Sequence, residues 1–314
     1  AQHLGDPEVS DLFLNGDGGL FRRRGGRAEP VPGWPPDEDA ARALAVGLVA
    51  AGGRHLDERT PCQDVHLGGG VRVHAVLPPV SASGTLLSIR VPRREAPGLG
   101  ELVAAGLCSG PVHRFLREAV AARQNLLITG GTGSGKTTLL AALLGEVPHS
   151  ERIVTIEDVA ELRIRHPHRV SLEARQANSE GAGGIGVAQL LREALRMRPD
   201  RLVLGECRGA ELSVLLGALN TGHDGGAGTV HASTLTEVPA RLEALGALAG
   251  LAPQHLARQA VSALHLIVHL EAAAGRHRIA RLGHPVLDGQ GLLTVVPLTE
   301  RSFGSDARAM ASVR

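Results

Sequence analysis

Residues 130–137, GGTGSGKT, hold Gly130, Gly135, Lys136 and Thr137 at the spacing G-x-x-x-x-G-K-[ST]. The chemistry this suits is capture of a polyphosphate. Glycines let backbone N–H groups turn inward around the phosphates, and a following helix adds its positive end. In that role Gly130, Gly131, Thr132, Gly133, Ser134 and Gly135 form the cradle, with Lys136, Thr137 and Thr138 at its exit. Lys136 neutralises the β- and γ-phosphates, and the Thr137 hydroxyl holds Mg²⁺. The apolar run NLLIT before the loop and TTLLAALL after it supply the strand and helix that the motif requires. A chance glycine-rich turn would need neither, so the predicted ligand is a nucleoside triphosphate.

Three more short apolar runs end on chemically loaded residues. RIVTIED ends at Glu157 and Asp158, RLVLGE ends at Glu206, and GTVHAS carries His231 near its end. In open parallel α/β sheets a ligand sits beyond the carboxyl ends of the strands. If these runs are neighbouring strands, all four loads converge on one place. Glu206 then has the position of an acid beside Mg²⁺ and the attacking water. Taken alone, Glu206 is also readable as a solvated strand-end carboxylate. Glu157 and Glu161, four apart, also suit a helix face or a loop, and His231 alone reads as one ordinary polar residue among fifteen histidines.

The elements that must position these groups follow from the pattern. Residues 1–96 read as a small mixed α/β domain with a linker, and residues 97–314 as a second domain. In the first, DLFLN and LFRRR flank the turn GDGG as a hairpin, and PPDEDAARALAVGLVAAGG has a helix's entry and exit signals. VRVHAVLPP and TLLSIRVP read as further strands. VPRREAPGLG, residues 91–100, has a linker's composition, and PVHRFLREAVAARQ reads as an amphipathic helix leading to the P-loop strand. Strands and helices then alternate, which predicts a parallel sheet. The tail TERSFGSDARAMASVR is polar and expected to fray.

Composition narrows the function. With 33 basic against 32 acidic residues and 2% aromatics, the chain lacks both the basic excess and the stacking rings of a nucleic-acid-binding protein. Cys62, Cys108 and Cys207 lie far apart and read as reduced thiols rather than zinc ligands or a disulfide framework. No apolar run approaches the roughly 18 residues needed to cross a bilayer, and AQHLGDPEVSD is not a signal peptide, so a membrane role is expected to be peripheral. The missing LSGGQ disfavours a transporter ATPase. NTGHD is not the guanine-reading N-K-x-D, and nothing nominates a kinase acceptor site.

The P-loop, RIVTIEDVAEL, LRMRPDRLVLGECRG and NTGHDGGAGTVHAS together, in this order and spacing, resemble the type II/type IV secretion ATPases, which power pilus assembly, protein secretion and conjugation. ALRMRPDR, GECRG and NTGHDG are most similar to the tight-adherence (Flp-type) pilus subgroup, including actinobacterial members associated with conjugal transfer. DPEVSDLFLNG, PCQDVHLGGGVRVHAVLPP and GTLLSIRVP resemble that subgroup's N-terminal domain. The start looks like the middle of the usual domain, so a longer leading region is either trimmed or lacking.

The resemblance implies a RecA-like P-loop NTPase domain with a smaller mixed α/β N-terminal domain, ATP and Mg²⁺ as cofactors, and a cytoplasmic hexameric motor. ATP would bind between the two domains, and the stroke would pass to an inner-membrane platform protein. By motif, Glu206 becomes the Walker-B acid and shares Mg²⁺ with Thr137, Glu157 and Glu161 become the acidic box, and His231 the histidine-box residue. Arg90 of LSIRV falls where relatives send an arginine toward the nucleotide, with Arg175 of SLEARQ a second candidate. Gly226, Ala227, Ser233 and Cys207 depart from the usual pattern without removing a charge. Two rivals stay open, a conjugation ATPase that contacts DNA and a nucleotide-switched scaffold that barely hydrolyses ATP.

Overall fold

The computed structural model describes residues 6, 8–33, 37–91, 96–175, 177, 182–273 and 276–299. The leading residues 1–5, residues 35–36 before the first expected helix, 92–95 of the expected linker and the tail beyond 299 lie outside the described residues. The chain divides into two compact units, Ala1–Arg94 with Gln176–Gly184, and Glu95–Arg175 with Ile185–Arg314.

The first unit contains β1 (Val9–Asn15), β2 (Leu20–Arg24), β3 (Arg27–Pro30), α1 (Glu38–Ala51), β4 (Cys62–Leu67), β5 (Val71–Val76) and β6 (Leu86–Arg90). Its strands form one antiparallel sheet in the order β3-β2-β1-β6-β5-β4. The expected hairpin is β1–β2. Helix α1 begins where the Asp37 carboxylate accepts the Asp39 N–H, and it buries Ala41, Ala45 and Val49 with Leu14, Val65, Val73 and Leu87 of the sheet. Glu38 ties the helix to the sheet by accepting from the Thr85 N–H at 2.8 Å and its hydroxyl at 2.6 Å.

The second unit runs α2 (Leu99–Ala104), α3 (Gly110–Ala121), β7 (Leu126–Gly130), α4 (Lys136–Leu144), β8 (Ile153–Glu157), β9 (Arg169–Glu173), α5 (Val187–Leu195), β10 (Arg201–Leu204), α6 (Glu211–Leu219), β11 (Ala227–His231), α7 (Val238–Leu248), α8 (Pro253–Ala263), β12 (Leu266–Ala273), β13 (Arg276–Leu287) and β14 (Leu293–Pro297). Leu99 and Gly100, expected in the linker, instead open α2, because Leu99 is fully buried against Leu139 and Leu140 of α4. Burial of one large apolar side chain outweighs the proline and glycine around it.

The sheet order is β14-β13-β12-β7-β11-β10-β8-β9, parallel from β12 to β9 and antiparallel beyond β12. Strands β7, β8 and β10 are buried at every residue. That explains why they read as continuous apolar runs rather than alternating ones. One face packs on α2, α3 and α4, and the other on α5, α6, α7 and α8.

The amino ends of the central strands are pinned by a polar cluster. Arg201, 2% exposed, donates to Glu151 at 2.6 Å and to the Val120 carbonyl at 3.0 Å. Arg123 joins Glu151 at 2.7 Å and reaches the Asp200 and Asp224 carbonyls. Asn125 accepts the Gly225 and Gly226 N–H groups and donates to the Ala263 carbonyl. Strands β7, β10 and β11 are thereby fixed at one end, which sets where their other ends fall.

Candidate nucleotide site

The four strands that end on loaded residues are contiguous and parallel, in the order β7-β11-β10-β8. His231 pairs with Gly130, and Leu204, two residues before Glu206, pairs with Ile156, one before Glu157. The loop after β7, the end of β11 and the turns after β10 and β8 therefore lie side by side.

The loop has the shape of an anion cradle. Gly130, Gly133 and Gly135 hold φ of 151°, 71° and 91°, a region closed to most L side chains. At Gly130 a side-chain carbon would also come within 2.5 Å of the Leu270 carbonyl oxygen. Helix α4 starts directly after Gly135, so its free N–H groups face the loop. Ser134 Oγ is buried and makes no hydrogen bond. The Lys136 ammonium is buried, donating to the Gly130 and Gly131 carbonyls at 2.9 and 2.8 Å and lying 3.3 Å from His231 Nδ1. Burial pushes its pKa down, against the opposing pull of Glu206. A buried cation held only by neutral groups fits a polyphosphate anion as its counter-charge.

His231 continues the contact. Its Nε2 lies 2.6 Å from Glu206 Oε1. A carboxylate only accepts and an ammonium only donates, so the proton sits on Nε2 and Nδ1 accepts from Lys136. Burial, and then the Lys136 charge, push the imidazole pKa down, which keeps it neutral in this arrangement. The second oxygen of Glu206, Oε2, accepts from Arg208 Nε and Nη2 at 2.9 and 2.7 Å. Sequence reasoning missed Arg208, although it stands two residues after Glu206 in the quoted GECRG.

Glu157 is 4% exposed, and its Oε1 accepts the Glu161 and Leu162 N–H groups at 3.0 Å each. Its Oε2 is buried without a partner, and burial raises its pKa to about 7. Glu161 therefore meets Glu157 through its backbone: Glu157 ends β8 and Glu161 lies in the loop after it, so the two do not share a helix face. The Glu157 side chain passes over Gly205, the residue before Glu206. Thr137 and Thr138 are half-buried in the first turn of α4.

Arg90 ends β6 in the first unit, exposed, across from Asp11 and Arg72 in the register. Arg175 lies two residues beyond β9, exposed, and its backbone bridges Ile185. Of the departing residues, Gly226 has a packing reason, since a side-chain carbon there would lie 2.8 Å from the Leu202 carbonyl oxygen. Cys207 is buried, with its thiol pushed up to about 12 by burial, so it is not a nucleophile here. Among the described residues, no cluster of three or more His, Cys, Asp or Glu side chains could hold a metal by itself. Mg²⁺ commonly binds through one or two protein oxygens plus substrate phosphates, which Thr137 and Glu206 could supply with a nucleotide. Among the described residues no helix is long and apolar enough to cross a membrane.

A mostly parallel sheet wrapped by helices on both faces, with the P-loop at a central strand, in a chain that also holds a smaller mixed α/β unit, is the RecA-like P-loop architecture with an N-terminal domain. The type II/IV secretion system protein family model matches residues 55–287. The chain is 50% identical over 283 residues to a putative conjugal transfer protein of Mycobacterium tuberculosis, covering 87% of this chain and 80% of the relative. It is 36% identical over 257 residues to a probable conjugal transfer protein TrbB of Sinorhizobium fredii, covering 80% and 76%. Among solved structures, the ATPase DotB of Legionella pneumophila superposes with a TM-score of 0.60 at 18% identity, covering 100% of this chain and 86% of that one. The pilus retraction motor PilT with bound ADP gives 0.59 at 21% identity, covering 96% and 83%. The chain belongs to the type II/IV secretion system protein family.

Proposed function

We propose that the chain is an ATPase motor that powers pilus assembly or type II/IV secretion across the inner membrane, most similar to the tight-adherence (Flp-type) subgroup. The observation that carries this reading is the chain of contacts from Lys136 through His231 to Glu206, set beside the phosphate cradle. Bound ATP and Mg²⁺ would supply the scissile phosphoanhydride and the cation that offsets its charge. Gly130 to Thr138 bind the phosphates, and Thr137 and Glu206 hold the metal. Lys136 exchanges its carbonyl partners for phosphate oxygens, and Glu206 polarises the attacking water. Glu157, whose pKa lies near 7, would serve as the acidic-box carboxylate, its side chain lying over Gly205 next to Glu206. His231 fixes the relation of Lys136 to Glu206. Arg90 and Arg175 are the candidates for completing the site.

We place the domain boundary at 96/97, two residues after the division between the compact units at Arg94/Glu95, and the protein works as a cytoplasmic homo-hexamer attached peripherally to a membrane platform protein. In a crosslinked pull-down of tagged Lys136→Ala from the native cell, a multi-pass membrane protein with pilin-like subunits should be recovered. Recovery of DNA with a relaxase instead would move the motor to conjugation. The 50% identity to a protein described as a putative conjugal transfer protein favours keeping that second reading, and salt-dependent DNA binding by the purified chain would support it.

A further inference from the structure

One edge of the P-loop faces a residue that no motif marks. Strand β12 pairs with β7 from Leu266↔Leu126 to Leu270↔Gly130, then runs three residues further, to Ala273. At the usual rise this overshoot is about 10 Å, so β12 and β13 form a wall beside the loop. The pairing of that wall is irregular. Val268 opposes Leu282 and His269 opposes Arg281, but Leu270 opposes Ile279, which leaves Ala280 as an extra residue. Opposed residues share a sheet face and successive residues alternate. One extra residue therefore exchanges the faces of everything beyond it.

The consequence falls on His277. The bulge places Ile279 and His277 on the face of Val268 and Leu270, the face packed on α4. Arg278 turns to the other face and donates to Glu271 at 2.9 Å. With regular pairing Arg278 would take the α4 face and His277 would be turned away. His277 opposes Ala272, two residues past Leu270, the partner of Gly130. Its exposed ring lies so close to the last loop glycine that a side-chain carbon on Gly135 would be 3.6 Å from Cγ and Nδ1.

We propose that His277 is a nucleotide-binding residue of this site, donating a hydrogen bond from its imidazole to the phosphate chain. The proposal rests on the reading of the P-loop as a nucleotide site. Gly135 is the residue from which α4 starts, so a donor beside it stands level with the free N–H groups that face the phosphates. An imidazole there adds a donor on the side of the cradle opposite β11 and His231, since β12 and β11 flank β7 on its two edges.

Calorimetric titration of the full chain with ADP and with inorganic pyrophosphate tests this. His277→Ala should weaken both by about tenfold or more, the loss of one hydrogen bond to a charged group. His277→Gln, which keeps a donor, should recover most of the affinity, and the melting temperature without ligand should not move. Unchanged pyrophosphate affinity in His277→Ala overturns the proposal. That holds even if ADP weakens, because the contact would then be to base or ribose. Lys136→Ala serves as the control. If it binds both probes like the wild type, the P-loop reading fails instead.

Discussion

The Glu157 side chain crosses Gly205 so closely that a Cβ at 205 would sit 2.5 Å from Glu157 Cγ. The smallness of residue 205 is therefore what lets the acid at the end of β8 lie over the turn leading to Glu206. Gly205→Ala should force Glu157 aside at an overpacking cost of about 1–3 kcal/mol. Urea unfolding measures that cost, and ATP turnover should fall by more than the stability change explains. A variant with wild-type turnover would separate Glu157 from the chemistry.

Glu157 also predicts a pH dependence of stability. Its pKa in the folded chain is about 7 against an ordinary 4.5. Between these values the native state binds more protons than the unfolded one, so stability falls as pH rises through the window. The ionisation penalty amounts to about 3 kcal/mol above pH 7. Glu157→Gln keeps an acceptor for the Glu161 and Leu162 N–H groups but cannot ionise. Its advantage over the wild type should be near zero at pH 4.5 and grow to its maximum above pH 7, as read by urea unfolding across pH. Parallel stability curves would contradict the assignment.

His231→Ala should lower kcat by about 10²-fold while changing ADP affinity little, because the imidazole joins Lys136 to Glu206 rather than forming the cradle. In the wild type, acidification below the depressed imidazole pKa places a proton on Nδ1, toward the Lys136 ammonium. Turnover should therefore fall on the acid side, and comparing the pH profiles of kcat for wild type and variant isolates that limb. An equal loss in ADP affinity and kcat would instead make His231 a binding residue.

Arg201 carries structure rather than chemistry. It is buried and joined to Glu151, to the Val120 carbonyl and to Gly225. Arg201→Ala should cost about 3–5 kcal/mol, measured by urea unfolding, since it strips a partner from a mostly buried carboxylate and leaves a cavity. A loss under about 1 kcal/mol would show that Arg123 alone satisfies Glu151.

What the sequence made legible was local. The P-loop glycines, Lys136 and the apolar runs ending at Glu157, Glu206 and His231 announce themselves because fully buried parallel strands are short, apolar and bounded by turns. What the sequence hid was non-local. The opening of α2 at Leu99 depends on burial against α4. The service of Gly205 and Gly226 depends on side chains and carbonyls from other strands, and Arg208 gains meaning only when its guanidinium is seen on Glu206. The edge strands β9 and β14, with β13 next to β14, alternate or mix polar residues and gave no comparable signal.

Steady-state ATP turnover by the purified chain, wild type against Lys136→Ala, tests the central claim most directly. The account predicts Mg²⁺-dependent hydrolysis by the wild type, its loss by about 10³-fold or more in Lys136→Ala, and unchanged circular dichroism. Undiminished turnover in Lys136→Ala would contradict it.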